Sequence, residues 1–181
     1  MTKNAQDDKM NGRAHFIKMS LKFKIRDLLS PPKNVLAEIG IKNGFHLLDY
    51  GCGPGGFIKD ASRMVGKTGK VYDLDLNSIA IKSAEKIITR KKLKNVKIIR
   101  TNYRTSLPDR SIDVVLLYDI FHHLDKPDKI LKELHRILNP KGILSFSDHH
   151  MEEDEIVSGV TDSGLFVKSK IGKKTYSFVK K

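Results

Sequence analysis

One cysteine, no tryptophan and no long apolar run set the first limits on this chain of 181 residues. Because Cys52 has no second cysteine to pair with, an internal disulfide is excluded, which fits a reducing compartment. No apolar run approaches the roughly 20 residues of a membrane-spanning helix, and the polar N-terminal stretch lacks the apolar centre of a secretory signal. We therefore expect a cytoplasmic protein without a membrane partner, in which residues 1–12 form a disordered lead-in.

Acidic residues are outnumbered, since 21 Asp and Glu stand against 34 Lys and Arg for a formal net charge of +13. The excess is uneven: Lys86 to Arg104 holds eight basic residues and no acidic one, and Ser163 to Lys181 holds six and none. Thr105 to Asp162 has twelve acidic and six basic residues. A solubilising surface is therefore favoured over a nucleic-acid surface, which stays the weaker alternative.

The apolar pattern alternates between strand and helix periods along most of the chain, which is long enough for one domain. We predict strands at 45–50, 70–75, 96–101, 113–118, 142–147, 165–170 and 175–179, and helices at 56–65, 78–91, 127–138 and from 152. Asn77 is predicted to cap the helix at 78–91, and Pro127 to lie in the first turn of the helix at 127–138. Residues 139–142 are predicted to form a turn.

The alternation is typical of a doubly wound, Rossmann-like α/β fold with helices on both faces. The last two strands are joined by a short turn, so the seven-stranded, mostly parallel sheet should end in a C-terminal antiparallel hairpin. Residues 45–181 would form this domain, and residues 13–44 an N-terminal helical arm. In the arm, Phe16, Met19 and Phe23, then Leu28 and Leu29, predict a helix with one apolar side.

A glycine-rich turn follows the first predicted strand and opens the next helix. Glycines allow positive φ and close ligand approach, and such a turn leaves backbone N–H groups pointing outward, where the polar part of a nucleotide-like ligand binds. Gly51, Gly53 and Gly56 satisfy the spacing of a dinucleotide site, with Asp75 downstream. However, Asp49 stands two residues before the first glycine, where a carboxylate suits an ammonium group and repels a diphosphate.

The run Asp49-Tyr50-Gly51-Cys52-Gly53-Pro54-Gly55 resembles motif I of the class I S-adenosylmethionine-dependent methyltransferases, in particular the small type 11/25-like domains. Residues 107–124 resemble the "LP…SFDVV…LHHL" stretch of that family, and residues 133–142 its "E…RVLKPGG" run. The predicted terminal hairpin also fits its fold. The resemblance spans roughly residues 32–181 and implies S-adenosylmethionine as the cofactor.

The resemblance also implies cofactor-binding residues. Asp75 would accept the ribose hydroxyls, although a helix N-cap is its alternative role, and Leu76 would pack on the adenine. Asn102 stands where the family commonly has Asp, and its amide oxygen can accept the same adenine hydrogen bond. The remaining implied contacts are Asp49, Gly51, Cys52 and Gly53 in the loop, the backbone of Tyr103, and Tyr118 near the methionine end.

No catalytic residue is identified by the motifs. The candidates His122, His123, Asp119 and His149 follow the fourth and fifth strands, as do Asp148 and His150. Such residues bind zinc or transition metals, but neighbouring histidines usually diverge, so we expect at most one of each pair in the cleft and no metal. One histidine acting as acid or base stays an alternative to a structural role.

The favoured function is methyl transfer to an unidentified acceptor, with a small molecule preferred. RNA or protein methylation and cofactor binding without turnover stay alternatives, whereas an NAD-linked oxidoreductase is disfavoured by Asp49. No segment is inserted between the fifth and sixth predicted strands, so the arm, with His15, Phe16, Met19 and Phe23, is left to cover the cleft. A second subunit completing a homodimer, or a large acceptor, would also fill an open pocket.

Overall fold

The computed structural model describes residues 12–101 and 104–181, which form one seven-stranded sheet flanked by helices. In chain order the elements are α1 (Arg13–Leu29), α2 (Pro32–Ala37), β1 (His46–Tyr50), α3 (Ile58–Val65), β2 (Lys70–Asp75), α4 (Ser78–Lys91), β3 (Val96–Arg100), β4 (Ile112–Tyr118), a 3₁₀ turn (Phe121–His123), α5 (Pro127–Ile137), β5 (Leu138–Ser147), α6 (Glu153–Thr161), β6 (Phe166–Ile171) and β7 (Tyr176–Lys180). The predicted disordered lead-in at residues 1–12 lies, apart from Gly12, outside the described residues.

The strands lie in the order β3-β2-β1-β4-β5-β7-β6. The first five are parallel, while β7 pairs antiparallel with both β5 and β6. The predicted fold class is therefore confirmed, including the terminal hairpin. Because the chain leaves β1 toward β2 on one side and returns to β4 on the other, a crevice opens at the carboxyl ends of β1 and β4.

Local sequence signals set most helix ends. The Asn77 side chain accepts a hydrogen bond from the Ile79 N–H at 2.8 Å, so the predicted cap of α4 is confirmed. Pro127 begins α5, where its missing N–H costs nothing. The buried side of α5 carries Ile130, Leu131, Leu134 and Ile137, the spacing of a helix that packs on a sheet.

The start of β5 differs from its prediction. The sequence predicts a turn at residues 139–142, but β5 begins at Leu138, which pairs with Ile112 of β4. The register shifts between Ile112 and Val114, and this irregularity allows Pro140 to lie within a strand that has neighbours on both sides. Proline and glycine signal a turn from sequence, and here they mark a bulged strand instead.

The helix predicted in the arm is present as α1, but its apolar residues do not share one side. Phe16 is 7% exposed and packs inward, whereas Leu28 and Leu29 are 81% and 82% exposed. At 100° per residue Leu28 lies about 140° around the helix from Phe23, so a single apolar side is geometrically excluded. The side chains of His15 and Met19 lie outside the described part of the chain.

The core lies on both faces of the sheet. One cluster joins Leu117, Phe146 and Phe178 to α5 and α6, and a second joins Leu47 and Leu116 to α2 and α3. Among the described residues, no helix has the length and apolarity that a membrane crossing requires.

Candidate functional site

A cleft of about 520 Å³ opens at the carboxyl ends of β1, β2 and β4, under α1. The glycine loop, Asp49 and Asp75 form one wall, and Asp119, Ile120 and four histidines form the other. Phe16, Phe23 and Arg26 of α1 cover it. The fold therefore gathers most of the residues that the sequence analysis singled out into one space.

The glycine loop closes on itself more than expected. The N–H groups of Gly51 and Cys52 both donate to the carbonyl of Leu74, at 2.8 and 2.9 Å, and that of Gly55 donates to the Cys52 carbonyl. The N–H of Gly53 donates to Asp75. The expectation of outward N–H groups is therefore wrong for these four residues, because three of the N–H groups bind the end of β2 and that of Gly55 bonds within the loop.

Gly51 and Gly53 are required for different reasons. Gly51 has φ of +84°, and a β-carbon there would lie 2.9 Å from Cγ1 of Ile120. Gly53 has φ of +51°, but the nearest atom to a β-carbon would be 3.8 Å away on Phe23. Gly51 thus permits close packing across the cleft, while Gly53 leaves open space beside the loop.

Two buried acids lie side by side where β1 and β2 pair. Asp49 is 3% exposed and faces the cleft, and its register partner Asp73 is fully buried. Among the described residues, Oδ2 of Asp49 and both oxygens of Asp73 have no hydrogen-bond partner. Burial, then the charge of Asp75, raises the pKa of Asp49 to about 7 against the opposing effect of Arg26. Burial, then Asp49, raises the pKa of Asp73 well above its ordinary value.

Asp75 is held at the end of β2 by two backbone donors. Gly53 N–H donates to Oδ2 at 2.9 Å and Asn77 N–H to Oδ1 at 2.8 Å. Burial raises its pKa, and these hydrogen bonds oppose the rise. Leu76, its neighbour, is half-buried and lies outside the residues that line the cleft. Asn102 and Tyr103 lie outside the described residues.

Tyr118 and Cys52 line the cleft but are largely buried. The Tyr118 hydroxyl lies 2.7 Å from Oγ of Ser145, and its ring meets Phe57 edge-on. Burial raises the pKa of both the Tyr118 hydroxyl and the Cys52 thiol. Neither group is therefore placed to act as an anion.

Two carboxylate–histidine pairs form the opposite wall. Nδ1 of His122 lies 2.7 Å from Oδ2 of Asp148, whose side chain is fully buried. Nδ1 of His149 lies 2.7 Å from Oδ1 of Asp119. Because an ionised carboxylate only accepts, each pair fixes the imidazole proton on Nδ1 and leaves Nε2 free to take a proton.

All four histidines line the cleft, so the expected divergence within each pair is wrong. Ring centroids are 3.9 Å apart for His122 and His123, 4.6 Å for His122 and His150, and 3.9 Å for His149 and His150. The backbone turns after β4 and β5 direct them together. Asp119 takes part in this turn with φ of +52°.

Asp119, Asp148 and His149 also place ligand atoms within 4.8 Å of one another, as a metal site would. Their oxygens already accept hydrogen bonds, however. Asp119 accepts from Arg26 and His149, and Asp148 from His150 and His122. A metal would have to displace these donors, so the expectation of no metal stays a prediction.

Arg26 is the residue of this site that sequence reasoning missed. Its guanidinium donates to Asp119 at 2.6 Å and to Asp27 at 2.8 Å, and it lies over the rings of Phe23 and Phe57 at 4.5 and 5.7 Å. It therefore joins α1 to both walls of the cleft. An Arg-Asp pair within a helix is too common a signal to have revealed this.

The sheet order, the glycine loop after β1 and the acid that ends β2 define the fold of the class I S-adenosylmethionine-dependent methyltransferases. Residues 41–177 match the protein family described as a methyltransferase domain. The chain belongs to this methyltransferase-domain family.

Individual relatives agree with this assignment. A demethylmenaquinone methyltransferase of Geobacillus stearothermophilus is 31% identical over 74% of this chain and 57% of the relative. The ubiquinone/menaquinone biosynthesis C-methyltransferase of Pseudoalteromonas translucida is 30% identical over 72% and 53%. This chain thus spans just over half the length of these curated relatives.

A solved structure shares the fold over its whole length. The SAM-dependent methyltransferase from Aquifex aeolicus has a TM-score of 0.75 and 24% identity, with 99% of this chain and 98% of that chain covered. At this identity the likeness establishes the fold alone.

Proposed function

We propose that this chain moves a methyl group from S-adenosylmethionine to a small-molecule acceptor by in-line displacement, in the cytoplasm. Residues 45–181 are proposed as the catalytic domain and residues 13–44 as an arm that closes the cleft. The observation that carries the proposal is the buried Asp49 oxygen without a donor, beside the glycine loop and Asp75.

The residues present fit this cofactor. An ammonium group would donate a hydrogen bond to the Asp49 oxygen. Carboxylates at Asp49 and Asp75 would also stabilise the positive sulfonium in this cleft. Asp75 is fixed at the end of β2, where ribose hydroxyls can donate to it. Gly51, Cys52, Gly53 and Tyr118 would line the methionine end, while roles for Leu76, Asn102 and Tyr103 rest on the family resemblance alone.

The chemistry needs little from the protein beyond position. When bound, the sulfonium supplies a methyl group already activated for displacement. The chain has to hold the acceptor in line and exclude water, which can supply much of the rate. Phe23, Phe57 and the covering helix α1 provide the apolar, closed surroundings that this requires.

We assign His122 as the base for an acceptor that must lose a proton. Its Nδ1 is held by the buried Asp148, and its side chain is only 20% exposed, against 48% for His149. A fixed tautomer on a side chain that lines the cleft suits proton removal there. His149, with Asp119, is the more exposed alternative.

The relatives are named for quinone methylation, and the cleft of about 520 Å³ has the size of an ordinary small-molecule site. This supports a small-molecule acceptor. The acidic balance of residues 105–162, which supply this wall, gives no support for a nucleic-acid acceptor.

Calorimetric titration with AdoMet, AdoHcy and NAD tests the cofactor. Binding of the first two and no heat with NAD are expected, and NAD binding alone would overturn the proposal. Incubation of cell extract with methyl-labelled AdoMet, followed by size separation, tests the acceptor. Label confined to RNA or protein would replace the small-molecule acceptor with a macromolecular one.

His122→Ala should lower kcat by about 10²–10⁴-fold while leaving AdoMet affinity within twofold or so, because the base acts only in the chemical step. Asp148→Asn should also lower kcat, since the imidazole loses the carboxylate that fixes its tautomer. His46→Ala, outside the cleft, is the control. Equal rates for all three variants would remove His122 from the mechanism.

A further inference from the structure

Helix α1 carries an apolar face that points away from the cleft. Leu21, Ile25, Leu28 and Leu29 are 59%, 56%, 81% and 82% exposed, and only two other large apolar side chains in the described ranges are exposed. The spacing i, i+4, i+7, i+8 places these four on one side of a helix. We refer to these four residues as the outer stripe.

The opposite face of α1 is already used. Phe16 and Phe23 pack toward the cleft, and Arg26 binds Asp119. The helix is therefore apolar on two sides, which in a globular protein calls for a second partner besides the body of the domain.

Basic side chains flank the outer stripe. Lys22 and Lys24 are exposed on α1, and at 100° per residue they lie at opposite edges of the outer stripe, beside Leu29 and Leu28 respectively. Lys18 is exposed within the arc of the stripe, and Lys18 and Lys22 also line the cleft. The helix α4, which α1 contacts, adds exposed Lys82, Lys86 and Arg90. An apolar stripe edged by lysines is the pattern of a helix that lies in the plane of an anionic membrane surface.

We propose that α1 docks this protein on the surface of an anionic lipid bilayer. The outer stripe enters the boundary between headgroups and acyl chains, and the flanking lysines contact the anionic headgroups. This replaces the expectation from sequence of no membrane partner. The protein is a peripheral, not a spanning, one under this proposal.

Two other partners, a nucleic acid and a second copy of the chain, fit the outer stripe and its flanking basic residues less well. A nucleic acid would use the lysines but not four exposed leucine and isoleucine side chains. A second copy of the chain would bury the stripe but would gather the flanking basic side chains of both copies around one interface, and like charges at an interface oppose association. A bilayer satisfies both features of the face at once.

The docked helix is also the cover of the cleft, so lipid-dissolved compounds would meet the protein next to its site. The proposal does not rest on the proposed function, because docking requires neither AdoMet nor turnover.

Co-sedimentation of the full chain with vesicles tests the proposal. Vesicles of phosphatidylcholine alone are compared with vesicles containing about one third phosphatidylglycerol. We expect binding to the anionic vesicles, at least about tenfold weaker binding to the neutral ones, and loss of most binding near 1 M salt, where screening is short-ranged. Equal or absent binding to both vesicle types would overturn the proposal.

The double variant Leu28→Glu, Leu29→Glu should lower the partition coefficient about tenfold or more, because two charges enter the lipid boundary. The matched control is Val167→Glu, Ile171→Glu, since these β6 side chains are 40% and 48% exposed and lie elsewhere. It should bind like the parent. Thermal melts confirm that both variants fold, and an equal loss in the control would contradict docking through α1.

Because the chain has no tryptophan, a single introduced tryptophan reports by its fluorescence whether its position enters the lipid. Leu28→Trp should show a blue-shifted emission with anionic vesicles, and Val167→Trp should not. Light scattering without lipid tests whether a second copy of the chain covers the outer stripe instead. A dimer that the double variant Leu28→Glu, Leu29→Glu converts to monomer, together with no emission shift of Leu28→Trp on vesicles, would assign the outer stripe to a second copy and overturn the proposal.

Discussion

Both oxygens of Asp75 accept a backbone N–H, from Gly53 and from Asn77. One carboxylate therefore joins the glycine loop to the start of α4 and still faces the cleft. The same side chain is suited to shape the loop and to accept ribose hydroxyls, so its two proposed roles, cap-like and ligand-binding, coexist.

Asp75→Ala should weaken AdoMet binding by about 1–3 kcal/mol, because the ribose hydroxyls lose a charged acceptor. Asp75→Asn retains one acceptor oxygen and should lose less. Isothermal titration measures both, with circular dichroism to verify the fold and exposed Glu85→Ala as the control. Unchanged affinity in both variants would falsify the ribose role.

Asp49 and Asp73 together make stability depend on pH. The folded chain holds protons on these buried carboxyls that the unfolded chain releases near pH 4, since the pKa of Asp49 is raised to about 7 and that of Asp73 is raised as well. Between about pH 4 and pH 7 the native state thus binds more protons, so its stability falls as the pH rises through this window.

Asp73→Asn should raise the free energy of unfolding by about 1–3 kcal/mol at pH 8, because no buried charge then faces Asp49. The gain over the parent should shrink as the pH falls from 8 to 5. Urea unfolding at several pH values measures it, beside exposed Asp128→Asn. A gain that is the same at every pH would show that repulsion between carboxylates is not its cause.

Among the elements, α1 depends on few contacts for its place over the cleft. Arg26→Ala removes the hydrogen bonds to Asp119 and Asp27 and the stacking on Phe23 and Phe57. Chymotrypsin should then cut within α1, after Phe16 or Leu21, severalfold faster than in the parent or in exposed Lys24→Ala.

AdoMet should slow cutting of the parent near Lys18 if the arm closes over the cofactor. Equal cutting with and without AdoMet would count against closure, and equal cutting of the parent and Arg26→Ala would show that Arg26 does not hold the helix.

The terminal hairpin contributes to the core as well as to the sheet. Phe178 of β7 is fully buried and lies 6.4 Å, ring to ring, from Phe146, and Glu38 after α2 accepts from Thr175 at 2.9 Å. The hairpin is therefore an integral element and not an appendage.

Phe178→Ala should lower the free energy of unfolding by about 3–5 kcal/mol through the cavity it leaves. Val167→Ala, at a half-exposed position of β6, should change it by less than about 0.5 kcal/mol. Denaturant titration compares them, and similar losses in the two would mean that the hairpin is not packed as described.

At the scale of the whole molecule, the alternation of strands and helices, the doubly wound fold class and most element bounds followed from periodicity. Apolar residues recur every two residues in a strand with one buried face and every 3.6 residues in a helix that packs on the sheet. Asn77 and Pro127 mark helix starts, because one caps free N–H groups and the other lacks an N–H group. The glycine loop and Asp49 predicted the cleft because strand ends meet there in any doubly wound sheet.

What escaped prediction depends on residues that meet only in the folded chain. Arg26 and Asp119 are 93 residues apart, and nothing local indicates their contact. The clustering of four histidines depends on how two turns face each other, and the inward hydrogen bonds of the loop depend on Leu74. The outer stripe escaped prediction because the apolar pattern of α1 predicts one side that includes Phe23 and Leu28, which lie about 140° apart around the helix.

The bare α-carbon of Gly51 against Ile120 has a mechanical consequence. The glycine loop and the wall that carries the histidines are in close contact at Gly51 and Ile120. A displacement of the loop, on the proposed cofactor side of the cleft, would therefore also displace the segment that carries His122. One methyl group added at residue 51 would push Ile120 away from the loop. The cofactor side and the acceptor side of the cleft would then move apart, although no reactive group had been changed.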